Sequence, residues 1–120
     1  MTLILLNCVL GLCDLPLGME DQRIEGGYLA ASSSYIKHGP DRARLNQLNT
    51  NGRTGAWSSR YNNHNQWLQI DLNYIANIRG IATQGRYEAQ QWVTLYILYY
   101  SRTGTSFTKY KVCIFFFNDL

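Results

Sequence analysis

Two histidines, His38 and His64, are the side chains best suited to move protons near neutral pH. Neither sits in a His-Glu-x-x-His or Gly-x-Ser-x-Gly setting, so neither a metal-bound water nor an activated serine is indicated. No pair of carboxylates stands out as an acid–base couple, and no glycine-rich turn follows a strand to cradle phosphate. Asp71 falls inside a strand pattern, where a structural hydrogen bond or ion pair is the simpler role. The chain is therefore read as non-enzymatic. What remains is electrostatic chemistry. Residues 36–60 carry Lys37, Arg42, Arg44, Arg53 and Arg60 against Asp41 alone, whereas residues 14–25 carry Asp14, Glu20, Asp21 and Glu25 against Arg23. A solvated surface is one reading of the basic stretch. The other is a patch for phosphate, sulfate or carboxylate, which the planar arginine fork matches in two-point geometry. The net charge of +3 is too small to argue for nucleic acid.

The elements that must position these groups are strands. The chain of 120 residues allows one domain, and its 13% aromatic and 16% charged content suits a compact β-rich fold. Gln66–Leu72 is the best-patterned strand: Leu68, Ile70 and Leu72 alternate with Gln69 and Asp71, and Trp67 stands at its start. Ile78–Gln84 predicts a second strand. Trp92–Tyr100 predicts a third, apolar on both faces and so expected to be covered on both sides. Trp67 and Trp92 are expected as core anchors or loop wedges. Arg102–Thr105 predicts a hairpin turn with Phe107 in the returning strand, and Asn51-Gly52 predicts a turn with positive φ. Arg23–Ala31 can hold a short strand or turn. No stretch keeps helical periodicity over three turns. The fold class is all-β, a sandwich or barrel.

The first twelve residues are apolar and too short to span a bilayer. They resemble the core of a secretory signal, yet no Lys or Arg precedes it and Gly11-Leu12-Cys13 is a poor cleavage site. A shortened signal and a gene-model artefact both stay open. Of the three cysteines, Cys8 falls in this leader, Cys13 opens the domain and Cys113 lies near the end, without zinc-site spacing. In an oxidising compartment Cys13 is expected to pair with something distant, and Cys113 is available by count alone.

Seven short motifs occur in order: Cys13-x-x-Pro16-Leu17-Gly18-Met19-Glu20, Ala31-Ser32-Ser33-Ser34, Ala43-Arg44-Leu45, Ala56-Trp57, Trp67-Leu68-Gln69-Ile70-Asp71-Leu72, Thr83-Gln84-Gly85-Arg86, and Trp92-Val93-Thr94-x-Tyr96-x-Leu98-x-Tyr100-Ser101. Together they resemble the discoidin domain, also called the coagulation factor V/VIII type C domain, from Cys13 to about Tyr110. The resemblance implies a β-sandwich or distorted jelly-roll barrel. It departs at Thr103-Gly104, where the family has Asp-Gly, and at Phe107, where a Trp is frequent. It also implies further strands and a closing cysteine, which residues 111–120 do not match. Residues 13–110 are thus expected to be the first two-thirds of a domain, and the Tyr96, Leu98 and Tyr100 face to be exposed and aggregation-prone.

The resemblance further implies ligand binding by loops gathered at one end of the sandwich. The family's ligands include anionic phospholipid head groups, carbohydrates, collagen and other proteins. The residues this places in the candidate site are Tyr35, Lys37, His38, Arg42, Asn51, Arg53, Arg60, Tyr61, Arg86 and Tyr87. Arg44 is expected in a framework role. The disulfide implied for Cys13 lacks its family partner, and Cys113 is a doubtful substitute. No cofactor is indicated, and whether calcium assists stays open. The loop tips His38-Gly39-Pro40, Asn51-Gly52-Arg53 and Asn62-Asn63-His64 are polar, which favours an extracellular adhesion module for cell-surface or matrix carbohydrate or protein. Peripheral binding to anionic phospholipid is the alternative. A fragment of a larger adhesion protein, with no function of its own, is the third reading.

Overall fold

The computed structural model describes residues 2–9 and 12–114, with side chains described for residues 16–110. It is built almost wholly from strands. β1 (Thr2–Val9) and β2 (Leu12–Pro16) are followed by a short 3-10 turn, Gly26–Tyr28, and β3 (Leu29–Ala31). A second 3-10 turn, Pro40–Arg42, precedes β4 (Leu68–Ile70), β5 (Ile78–Gln84), β6 (Leu95–Tyr100) and β7 (Thr108–Ile114). Every strand pair is antiparallel: a three-stranded sheet in the order β2-β1-β5, and two two-stranded sheets, β3-β4 and β6-β7. The described strands form no closed barrel. Residues 115–120, most of the expected apolar tail, lie outside the described residues.

The core forms where the Leu17–Ile24 turn meets β3. Leu17, Met19, Ile24 and Leu29 are buried, and Ile70, Leu72 and Ile81 pack against them. Met19 is wholly buried, and a large apolar side chain removed from water contributes about 1.5–3 kcal/mol. The turn is tight because Gly18 has φ +108° and its carbonyl accepts the Ile24 N–H at 3.0 Å. A Cβ at Gly18 would lie 2.6 Å from the Arg23 Cβ, so the Leu-Gly-Met sequence is needed for both conformation and space.

Several expectations change in register or extent. β5 spans Ile78–Gln84 as expected, but β4 is only three residues long and pairs with β3 alone. Trp67 and Trp92 are exposed, and Trp57 is the buried indole, donating from Nε1 to the Ser33 carbonyl at 3.1 Å. β6 begins at Leu95, and it is not covered on both sides. Its solvent face carries Leu95, Ile97 and Tyr99, whereas Tyr96 and Leu98 are half-buried, the reverse of the expected pattern. The register slips between Leu98 and Tyr99, so Tyr99 and Tyr100 are both exposed. The turn after β6 is closed by Ser101 Oγ, which accepts the Thr103 and Gly104 N–H groups, with Gly104 at φ +73°.

Cys13 lies opposite Cys8 in the β1–β2 register, while Cys113 lies opposite Tyr96 in the separate β6–β7 pair. The backbone thus puts Cys13 and Cys113 in different sheets. The leader stretch Thr2–Val9 occupies the middle of the three-stranded sheet.

Candidate functional site

Three loops meet beyond the ends of β3 and β4. The first runs from Ser32 through Arg42, the second from Asn49 to Gln66, the third from Arg86 to Gln91. The first two are laced together by backbone: the Tyr35 N–H donates to the Ser58 carbonyl (2.8 Å), the Ser58 N–H to the His38 carbonyl (3.3 Å) and the Thr54 N–H to the Lys37 carbonyl (3.3 Å). The third joins them through the Asn49 amide, which donates to the Glu88 carboxylate at 3.2 Å. Asn51 and Gly52 both have positive φ, +53° and +69°, and Thr50 and Arg53 bond to each other across that turn. This is the turn expected from the Asn-Gly pair.

Two arginines hold the loops from inside. The Arg44 guanidinium donates to the carbonyls of Asp41 (3.0 Å), Met19 (2.6 Å) and Ile24 (2.9 Å), tying the core turn to the 3-10 turn. Arg42, expected to face ligand, is instead turned inward. Its Nε donates to the Thr54 carbonyl, and its Nη2 to the Leu48 carbonyl and Thr50 Oγ1. It spans the second loop as a strut, with Nε and Nη2 both committed to loop acceptors. Burial disfavours both charges, yet an arginine's ordinary value is so high that each fork stays protonated. His38 is also buried. Its Nδ1 lies 2.9 Å from Ser58 Oγ, and its ring meets Tyr35 edge-on at 5.7 Å. Burial first, then the nearby Arg86 charge, hold the His38 imidazole below its ordinary value.

The remaining expected residues define an outer surface. Lys37 has φ +68°, and its ammonium lies beside the Asn51-Gly52 turn. Arg53 bonds Asp41 at 2.7 Å, which holds the Asp41 carboxyl below the usual range and raises Arg53. Arg60 lies over the exposed Tyr61 ring, its guanidinium carbon 5.8 Å from the centroid. Tyr87 is exposed, while Arg86 is half-buried and donates to Gln91 Oε1 at 2.8 Å. Its Nε is buried with no hydrogen-bond partner among the described residues.

Two residues missing from the expected set stand out. Ile36 is 75% exposed at the apex of the first loop, between Tyr35 at 56% and Lys37. Leu48 is exposed at the start of the second loop. An isoleucine isolated in the polar run Ser34-Tyr35-Ile36-Lys37-His38 was the available signal: it has no apolar partner at a strand or helix period. The Tyr35–His38 turn thus presents an exposed apolar side chain, Ile36, next to the cation Lys37. No cluster of three or more His, Cys, Asp or Glu able to hold a metal occurs among the described residues.

The family model for the F5/8 type C domain matches residues 29–116. The chain belongs to the F5/8 type C domain family. This domain is 38% identical to coagulation factor V of Bos taurus over 109 residues, covering 88% of the chain and 5% of that protein. It is 37% identical to coagulation factor V of Homo sapiens over 115 residues, again 5% of that protein. It is also 37% identical to lactadherin of Sus scrofa over 116 residues, 89% of the chain and 28% of that protein. The F5/8 type C domain here thus corresponds to a small part of each relative. No solved structure matches it. The all-β fold agrees with the family expected from the seven motifs.

Proposed function

We propose that this F5/8 type C domain is a non-catalytic extracellular recognition module whose loop end docks on an anionic phospholipid surface. The observation that carries this is Ile36, 75% exposed at a loop apex and flanked by Tyr35 and Lys37. An exposed apolar side chain next to a cation suits the boundary between head groups and acyl chains, where apolar burial and attraction to anionic lipid add. Tyrosine favours the same boundary because its ring is apolar and its hydroxyl polar. The tips named from sequence are polar, but Tyr35 and Ile36, just before the first of them, are not. That reverses the preference for carbohydrate or protein at this end.

The test is co-sedimentation of the full chain with phosphatidylcholine vesicles, with and without phosphatidylserine. Pelleting that depends on phosphatidylserine and weakens with salt supports the reading; equal behaviour on both vesicles contradicts it. A second reading rests on the exposed Arg60–Tyr61 pair and the polar loop 62–65, which suit a carbohydrate or protein partner on cells or matrix. Under that reading, changes at Arg60 and Tyr61 weaken capture by cells and changes at Ile36 do not.

A further inference from the structure

All three cysteines fall on strands: Cys8 on β1, Cys13 on β2 and Cys113 on β7. β1 and β2 run antiparallel, with Leu6 opposite Pro16, Asn7 opposite Leu15, Cys8 opposite Cys13 and Val9 opposite Leu12. Asp14 is left without a register partner, so the bulge falls beside the cysteine pair and not within it. Cys113 stands opposite Tyr96 in the separate β6–β7 sheet. We infer that Cys8 and Cys13, set opposite each other by the β1–β2 register, form a disulfide, and that Cys113 keeps its thiol.

Three observations carry the assignment. First, the backbone spacing fits. Residues directly opposite on antiparallel strands have Cα atoms about 4.5 or 5.5 Å apart, depending on the pair type. Both values lie within the roughly 4.4–6.8 Å that a disulfide bridges without backbone movement. Opposite residues also share one face of the sheet. Second, the register is held from both sides. β1 is the middle strand, paired to β5 from Thr2 opposite Gln84 to Asn7 opposite Ile78. β2 runs directly into Leu17 and Met19 of the core, and its last carbonyl, that of Pro16, accepts from Arg23 Nη2 at 2.7 Å. A one-residue slip that moved Cys13 to the other face would have to break these ties. Third, β7, which carries Cys113, pairs with β6 alone among the described strands, so the topology gives Cys113 no cysteine opposite.

The bond forms by two thiol–disulfide exchanges with a small disulfide oxidant such as oxidised glutathione, in the oxidising compartment expected of an extracellular domain. One cysteine thiolate attacks the oxidant and releases one glutathione thiol. The other thiolate then attacks the mixed disulfide at the protein sulfur and releases the second. The two cysteines give up two electrons and two protons, which the two glutathione thiols carry away. Only Val9–Leu12 separate the pair, so the second step closes within the hairpin. The product clasps the middle strand of the sheet to β2. It also gives Cys13 a near partner in place of the distant closing cysteine that the family resemblance implies.

The experiment equilibrates the full chain in a buffer of oxidised and reduced glutathione, blocks the remaining thiols with iodoacetamide and maps the products with trypsin. Cys8 and Cys13 fall in one tryptic peptide, residues 1–23, and Cys113 in another, residues 112–120. The expected N-terminal peptide carries no label and is lighter by two hydrogens than its reduced form, while Cys113 takes up label. Cys113→Ser should leave that N-terminal product unchanged, and Cys13→Ser should leave both Cys8 and Cys113 open to label. In concentrated urea, which removes the register, the ratio of the Cys8–Cys13 bond to mixed disulfides with glutathione should fall about tenfold. The full chain secreted from cultured eukaryotic cells, mapped in the same way, should carry the same bond without any refolding step. The inference is overturned if the N-terminal peptide is joined to the C-terminal one, if Cys8 and Cys13 both take up label, if urea leaves the ratio unchanged, or if the secreted chain begins after Cys8.

Discussion

Arg44→Met should cost this domain a large part of its stability without touching its outer surface. Arg44 is 4% exposed, and its guanidinium meets three carbonyls, those of Met19, Ile24 and Asp41. Methionine fills much of the same space but donates nothing. Each buried acceptor left unpaired costs about 1–3 kcal/mol, so three give a gross loss of about 3–9 kcal/mol. Two effects reduce it: the desolvation cost of the guanidinium disappears, and water reaches the Asp41 carbonyl beside the half-buried loop. The net loss should fall in the lower half of that range, at about 3–5 kcal/mol. A small domain has only about 5–15 kcal/mol in total. Urea unfolding followed by tryptophan fluorescence should show a midpoint lower by about 1–3 M for a typical slope. Arg44→Lys keeps the charge but replaces a fork by a single point, so it should fall between the two. A loss under about 1 kcal/mol for Arg44→Met would refute the assignment of Arg44 as the clamp between the core turn and the loops, because unmade buried bonds would then carry no cost.

Gly55→Ala should destabilise the domain by about 2 kcal/mol or more, measured by thermal melting, because a Cβ there collides with the Gln47 carbonyl in a buried turn. His38 should make stability fall with acid. Its folded value lies below the ordinary 6.5, so the unfolded chain binds the proton first and stability drops as pH falls through that value, levelling off below the folded one. Urea midpoints at about pH 7.5 and pH 5 should differ, and His38→Gln should shrink the difference. Asp41→Asn should cost about 0.5–1 kcal/mol by urea unfolding, since its bridge to Arg53 is partly exposed. Ile97→Lys should reduce concentration-dependent association in sedimentation velocity, because Leu95, Ile97 and Tyr99 form an exposed apolar stripe on β6.

What the sequence carried best was local. The Asn51-Gly52 turn, β5 and the turn after Tyr100 follow from residue types whose backbone preferences act within a few positions. Arg44 was placed in the framework by its Ala-Arg-Leu setting, and three buried bonds give it that role. The direction of a long side chain was harder. Arg42 and Arg53 look alike in a basic loop, yet Arg42 finds three acceptors within the loop and turns inward while Arg53 bonds Asp41 at the surface. His38 likewise sits in a polar run but is buried because the Tyr35 ring and Ser58 enclose it. Strand coverage was illegible too: the alternation along β6 says which residues share a face, and only tertiary pairing says which face is covered. Ile36 gives only a weak local signal, because a lone apolar residue in a polar loop fits no strand or helix period. Its exposure emerges only when the first loop is fixed against Thr54 and Ser58.

The most direct test of the loop-end reading compares two isoleucines of nearly equal exposure. Ile36, 75% exposed, lies at the loop apex, and Ile75, 71% exposed, lies in the connection between β4 and β5. Ile36→Asp and Ile75→Asp should both fold, and each should be assayed on phosphatidylserine vesicles against the unaltered chain. Loss of the Ile36 contact should weaken binding about tenfold or more, and Ile75→Asp should leave it unchanged. Equal effects from the two variants, or none from Ile36→Asp, would contradict docking through the loop end.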